Sequence, residues 1–560
     1  MVNFLSSSPN KLTNNDQRHT KAVYHKDHIK LHYLFDKQDW NTVLSADDAD
    51  LAVGNFTSII NSILDSVTER KTIKYCKTSK IKPCITPGII CSIKHRDKMK
   101  KQLGFNSSNE NYEKYRNYRN SLNSLINKCK YKYYNSKIEN NKNDLKKNYK
   151  VVNELSVKTN SEKNDNFKIK NNDTTFNNTK DMAEYCNNYF VNNGLNLAKK
   201  IITPKHKFRM QFTSNTSMFI KPVDENEIIK KINSLKSNSS KGINDNDPKI
   251  IKQYHLYLLK PLAHIINLIF KYGHVSSQFK VSVVTPVYKA GNRSSIENYR
   301  PISVINNFAI IFEKCLKDRL MKFLEKNKIL SKRQFGFVRG RSSTDAILEL
   351  TKMVVQNLDD GKKCLAVFDT IPHDSLLEIL RAYGIRGVVL KIFESYMEER
   401  QQIFKIGDVL SEPLELKIGI PQGTVMGAII FLVYINSLTN LVVDGGSLIS
   451  YADDTAVVFV TDSWSRVKEL AENGLTKVKI WLDSNRLTLN VDKTHYVAFS
   501  VTSANRPSFD SISVESTVIK EVTSTKYLGV TIDKNLKWDK HIERLVTNIR
   551  KLIPRFYIFR

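Results

Sequence analysis

The sequence predicts an α+β fold, and three observations carry that reading. From Val281 onward, short β-prone runs alternate with longer helical stretches. Upstream of that point, apolar residues recur at steps of three and four, the spacing of a helix that buries one face. Two adjacent carboxylates, Asp453 and Asp454, lie between the β-prone Ile449-Ser450-Tyr451 and the apolar run Ala456-Val457-Val458-Phe459-Val460. With Gly445 and Gly446 just upstream, this is the pattern of a β-hairpin carrying an acidic pair at its turn.

The composition narrows the class. With 560 residues, 41% hydrophobic and 10% aromatic, the chain can form several domains with real cores. Lys and Arg number 87 against 56 Asp and Glu, a formal net charge of +31 that no fold requires and that suits a polyanion. Nucleic acid is the leading partner. An anionic membrane surface is the alternative, but no uninterrupted apolar run of spanning length and no basic-then-apolar signal segment is present. An intracellular, non-secreted protein is expected. The seven cysteines show no CxxC spacing, so neither a zinc site nor a disulfide framework is suggested.

Taken in order, residues 1–40 are polar and Asn/Ser/Lys-rich, a disordered or variable N-terminus. Residues 41–178 form a basic, mainly helical region. One amphipathic helix is expected from Trp40 to about Arg70, then a Pro-punctuated turn at Ile81–Gly88. From about Tyr112 to Leu155, Tyr115, Tyr118, Leu122, Leu125, Cys129 and Tyr133 make one helical face flanked by Lys128, Lys130 and Lys132. Those lysines read equally as a solvated face or as contacts to a phosphate backbone. Residues 156–178 read as a polar linker. Residues 179–259 carry helical patterns at Met182–Phe190 and Glu225–Leu235, with a Ser/Gly/Asn-rich loop from Ser237 to Asn246. A buried helix runs from Leu256 to Tyr272, closed by Gly273.

The block 260–537 holds the candidate site. Val281–Lys289 reads as a strand, and Pro286 within it suggests an edge strand. Lys289 and Arg300 near this strand pair are surface cations or a grip for a triphosphate, Arg as a bidentate fork and Lys as a point charge. After a helix at Ile310–Leu324, the stretch QFGFVRGRSST (334–344) places Arg339 and Arg341 beside glycines that would let backbone approach a nucleic-acid strand; a plain loop before a helix would look similar. In GIPQGTVMG (419–427), Gln422 and Gly423 sit at a turn opening a very apolar helix through Leu438, a surface on which a nucleotide or base pair could pack. The Asp453-Asp454 turn offers hard oxygen ligands of the kind that hold paired Mg²⁺ ions about 3.5–4 Å apart in nucleotide-joining enzymes.

The order of these stretches is specific. VYKAG with NYRPIS, then QFGFVRGRSS, GIPQGTVMG, YADDT, LTLNVDKTHYVAFS and TKYLGVTID together resemble the reverse transcriptase of jockey-like non-LTR retrotransposons, over roughly residues 260–537. The resemblance implies a right-hand polymerase with fingers and palm, RNA-templated DNA synthesis from a DNA primer 3′-hydroxyl using deoxynucleoside triphosphates, dependence on Mg²⁺ (or Mn²⁺), and a nuclear destination. It makes Asp453, Asp454 and Asp369 metal-binding catalytic carboxylates, Tyr451 a neighbour of the primer end, and Lys289, Arg300, Gln422, Gly423 and Lys493 substrate contacts. Residues 41–178 then correspond to the family's linker, with Cys84 where Trp is usual, residues 179–259 to an extension of the fingers, and 538–560 to the start of a thumb. On this basis the chain reads as a truncated copy lacking the endonuclease and most of the thumb.

One motif departs from the family. Its first palm motif runs from a strand to an Asp, about five residues on to a Phe, then to a second Asp before Thr-hydrophobic-Pro-His. Here Cys364-Leu365-Ala366-Val367-Phe368 runs straight into Asp369-Thr370-Ile371-Pro372-His373. Asp369 matches the second Asp better than the first. Because strand side chains alternate faces, a one-residue shortening is expected to turn it away from the Asp pair. Impaired polymerisation follows, with a catalytically inactive nucleic-acid-binding remnant as the alternative.

Overall fold

In this computed structural model the described residues are 19–75, 83–104, 108–156, 169–171, 174–176, 178–199, 214–237, 242, 247–370, 377–416, 421–485, 494–500, 506–515 and 517–553. The fold is α+β, and the chain forms two compact units, one of residues 1–26, 68–164 and 542–560 and one of 27–67 and 165–541.

In the first unit, strands His19–Lys26 and Thr68–Tyr75 pair antiparallel. The expected turn near Pro83 opens a further helix, Pro87–Leu103, with Pro87 at its first turn and the Thr86 hydroxyl accepting from Ile89 N–H. The predicted basic helix is Asn109–Glu139, 31 residues capped by Ser108, followed by Leu145–Ser156. Its stripe is only partly used: Leu122 is buried and Leu125 stays exposed, and the buried tyrosine is Tyr134, next to the predicted Tyr133.

The second unit carries the main core. The stretch expected as one helix after Trp40 is two, Asn41–Leu44 and Ala49–Ser66, because Asp48 turns extended and caps the second through Leu51 N–H. Helix His255–Tyr272 is buried along most of its length and ends at Gly273, whose φ of +81° suits the left-handed cap.

Two sheets organise this unit. The first has strand order Leu414–Glu415, Gln401–Ile406, Val281–Tyr288, Tyr299–Ile305. Val281–Tyr288 is therefore central, not an edge. Its parallel pairing with Gln401–Ile406 ends at Val284, so Pro286 lies where that side of the strand is open. On the other side Pro286 faces Pro301, a pair in which neither residue has an N–H to give.

The second sheet is wholly antiparallel, in the order Gly446–Tyr451, Asp454–Thr461, Lys363–Thr370, His495–Phe499. Helix Ser343–Asp359 covers one face, where Ala346, Leu350 and Val354 meet Cys364, Ala366, Ile449, Ala456 and Val458. Helix Trp464–Ser484 covers the other, where Val467, Leu475 and Trp481 join a core with Leu365, Val367, Leu448, Val457 and Phe459. Burial on both faces explains why CLAVF and AVVFV read as unbroken apolar runs rather than alternating ones. Among the described residues, no helix is long and apolar enough to cross a membrane.

Candidate active site

The acidic pair sits where the sequence puts it. Strands Gly446–Tyr451 and Asp454–Thr461 close a hairpin in which Tyr451 faces Asp454, leaving Ala452 and Asp453 as the two-residue turn. Ala452 has φ +57°, Asp453 is exposed and Asp454 half-buried. One residue further, Thr455 is buried and its hydroxyl pairs with that of Ser450 at 2.9 Å, so Asp454 and Thr455 project to opposite faces. Tyr527 packs 5.3 Å from Phe368, and burial, with the Asp454 charge added, pushes its phenol above the ordinary value.

The neighbouring strand fixes where Asp369 stands. Lys363–Thr370 pairs with the hairpin so that Thr370 lies opposite Asp454 and Asp369 opposite Thr455. Asp369 thus holds the register position of Thr455, one residue from that of Asp454. Among the residues whose side chains are described, no group of three or more His, Cys, Asp or Glu is placed to hold a metal ion. Asp453 and Asp454 fit a hard divalent cation by their oxygen donors and their position on a tight, accessible turn.

Behind the turn lies the stretch read from sequence as a close approach to nucleic acid. Of its two glycines, Gly336 meets the hairpin, where a Cβ would lie 2.2 Å from Ala452 N, while Gly340 has nothing within 4 Å. Arg341 reaches the same loop, its guanidinium donating to the carbonyls of Ser331, Lys332 and Gln334. Arg339 is exposed.

The candidate substrate contacts Lys289, Arg300, Gln422 and Gly423 gather on the first sheet. Lys289 and Arg300 are exposed; Val287 pairs with Arg300, and Lys289 N–H donates to Asn298 O at 2.8 Å, which places both cations on one face of the ribbon. The Gln422 carbonyl accepts from Ser303 N–H at 2.7 Å, laying the exposed Gln422-Gly423 turn on the strand that carries Arg300. Gly423 has φ +110°, a conformation that favours glycine. The helix that follows, Val425–Thr439, is capped by Thr424, and its first amides are held by a residue that no sequence motif marks. Glu313, 1% exposed, accepts from Val425 N–H at 2.7 Å, Met426 N–H at 3.1 Å and the Tyr396 hydroxyl at 2.6 Å. Burial pushes its carboxyl up, while Tyr396, Arg400 and the two amides pull it down. A charge on the apolar face of an otherwise periodic helix, between Ala309 and Leu316, was the available signal.

Lys128 and Lys132 are exposed and Lys130 half-exposed on Asn109–Glu139, and none makes an ion pair with a described residue. Lys493 lies outside the described residues.

Residues 287–532 match the family described as reverse transcriptase (RNA-dependent DNA polymerase). The chain is 28% identical over 341 residues to the probable RNA-directed DNA polymerase from transposon BS of Drosophila melanogaster, covering 58% of this chain and 37% of that protein. It is 22% identical over 308 residues to the X-element counterpart of the same species, covering 52% and 33%. It is also 22% identical over 311 residues to the RNA-directed DNA polymerase from mobile element jockey, again of Drosophila melanogaster, covering 53% and 34%. The match therefore spans about a third of each of these relatives. Among solved structures, apo telomerase from Candida tropicalis, truncated from its C-terminal domain, aligns over 52% of this chain and 68% of its own at a TM-score of 0.32 and 12% identity. Residues 287–532, which hold the acidic hairpin, thus match the reverse transcriptase family, and over that region the chain is similar to RNA-directed DNA polymerases of transposon BS and mobile element jockey.

Proposed function

We propose that this chain is an RNA-directed DNA polymerase that extends a DNA primer 3′-hydroxyl on an RNA template, with its chemical step weakened by the register of Asp369. The observation that carries the first half is the Asp453-Asp454 pair on a two-residue turn at the end of a sheet buried on both faces. Asp453 and Asp454 hold Mg²⁺ or Mn²⁺. The chemistry such a cation would supply when bound there is activation of the primer hydroxyl and neutralisation of charge on the leaving pyrophosphate. Lys289 and Arg300, on one face of their ribbon, grip the triphosphate. Gln422 and Gly423 form the surface against which the nucleotide packs, and Tyr451 borders the primer end. Arg339 and the lysines 128, 130 and 132 bind phosphates of the template and primer. A nuclear destination belongs to the same proposal.

Primer extension by the purified chain on an RNA template with Mg²⁺ tests it. Slow, Mg²⁺-dependent extension that Asp453→Asn abolishes is the expected result. Extension indifferent to Asp453→Asn would overturn the assignment of the turn. A second reading, a catalytically inactive nucleic-acid-binding remnant, is favoured by one observation, the pairing of Thr370 rather than Asp369 with Asp454. It predicts template binding with no extension in either metal.

A further inference from the structure

One buried polar side chain near the acidic turn has no assigned role. Gln334 is fully buried, and its Oε1 accepts two backbone amides, Gly336 N–H at 2.7 Å and Ala452 N–H at 3.2 Å. Turning the amide over would set Nε2 against two N–H donors, so the orientation is fixed by its partners. The backbone around it is pinned as well: Phe335 N–H donates to Ser450 O at 2.8 Å and Arg333 O accepts from Ser450 N–H at 3.0 Å. Gly336 completes the fit, since any Cβ there would strike Ala452 N.

These interactions converge on a turn that needs them. Ala452 sits at φ +57°, a conformation that costs an L-residue about 1–2 kcal/mol. Such a conformation persists when its surroundings over-determine it. Gln334 Nε2 is buried with no hydrogen-bond partner among the described residues, an arrangement that costs about 1–3 kcal/mol. The side chain is kept for its oxygen, and that oxygen serves the turn.

We infer that Gln334 is a positioning residue of the catalytic turn: its buried carbonyl oxygen holds the Ala452 amide and so fixes how Asp453 and Asp454 project toward a divalent cation. This rests on the metal-binding reading of the pair, and the test separates the two. Amide hydrogen exchange of the hairpin and Mn²⁺ affinity by electron paramagnetic resonance are measured in the full chain and in three variants. Gln334→Met keeps the length and loses the acceptor. Gln334→Glu keeps the acceptor. Asp453→Asn/Asp454→Asn removes the carboxylates. Gln334→Met should speed exchange at Ala452 about tenfold, the scale of one net hydrogen bond, and weaken Mn²⁺ binding. Gln334→Glu should keep slow exchange and retain Mn²⁺. Equal acceleration along all of Asp454–Thr461 in Gln334→Met, or unchanged Mn²⁺ affinity despite a freed Ala452 amide, would overturn the positioning role. If Gln334→Met does not fold, fast Ala452 exchange in Gln334→Glu overturns it instead. If the double Asp variant binds Mn²⁺ as the parent does, the metal reading fails, and the exchange data alone decide whether Gln334 holds the turn.

Discussion

Glu313→Ala should be among the most damaging single substitutions in the chain. The carboxylate accepts three donors, Val425 N–H, Met426 N–H and the Tyr396 hydroxyl, all in a buried pocket. Each orphaned donor costs about 1–3 kcal/mol, or about 3–9 kcal/mol for the set. Arg400, 2% exposed and stacked 4.5 Å over Tyr396, would also lose a nearby anion. Stranding a buried charge costs about 3–5 kcal/mol in comparable cases. The sum rivals the whole stability of a typical domain, about 5–15 kcal/mol. Glu313→Gln can turn its carbonyl to the two amides and offer its NH₂ to the Tyr396 oxygen, so it loses mainly the charge beside Arg400. Guanidinium unfolding followed by fluorescence, to which the fully buried Trp481 contributes, should therefore rank parent, Gln, Ala in falling midpoint. The Gln variant should also raise KM for the nucleotide, because the helix start follows directly on Gln422-Gly423. A Glu313→Ala protein within about 1 kcal/mol of the parent would refute the reasoning, since one orphaned donor alone predicts more.

Two further outcomes are expected. Replacing Lys128, Lys130 and Lys132 together by Gln should flatten the dependence of log affinity on log salt by about 2, at roughly 0.7–0.9 for each phosphate no longer neutralised, read by fluorescence anisotropy on an RNA–DNA duplex. An unchanged slope would make that face a solvated one. At Asp50, partial burial pushes the carboxyl up, but bonds from His274, Ser277 and Ser276 outweigh it and hold the group at about 2. Its folded value lies below the ordinary 3.8, so the carboxylate contributes stability above that pH and loses it as pH falls toward 2. Asp50→Asn should lower the melting temperature at neutral pH and flatten the acid limb in that window; parallel limbs would discount the carboxylate.

What was legible in the sequence was what local rules decide. The helix read as Leu256–Tyr272 is His255–Tyr272, because apolar period and a glycine stop both act within a turn or two. The acidic hairpin is likewise a two-residue event between β-prone runs. What was not legible depends on groups far apart in the chain. Gln334 reaches an amide 118 residues away and Glu313 reaches amides 112 and 113 residues away, and no spacing rule connects them. Gly336 shows the difference well: its small size was legible, but not that the backbone it admits is that of Ala452, 116 residues on. Pro286 reads as an edge marker because nothing local to it says that the neighbouring parallel strand stops pairing at Val284.

The register of Asp369 is harder to relieve than alternation alone suggests. Sliding Lys363–Thr370 by one residue would exchange Leu365 and Val367, on the Trp464–Ser484 side, with Cys364 and Ala366 beneath Ser343–Asp359. Both faces are buried, so the cost is not exposure of apolar surface. It is volume: larger side chains forced under one helix, where overpacking costs about 1–3 kcal/mol per site, and cavities opened under the other. The slide must also break the pairing of His495–Phe499 with Cys364–Phe368 on the strand's far edge. Two locked edges and two packed faces hold the strand, so the chain cannot shift to suit its chemistry. A single residue inserted after Phe368 leaves that packing in place and moves the Asp into the position now held by Thr370, opposite Asp454. The insertion should tighten Mn²⁺ binding and raise primer extension together, with unchanged affinity for the template. Extension that stays at the parent level while the inserted protein folds and binds RNA would mean that register is not what limits the reaction.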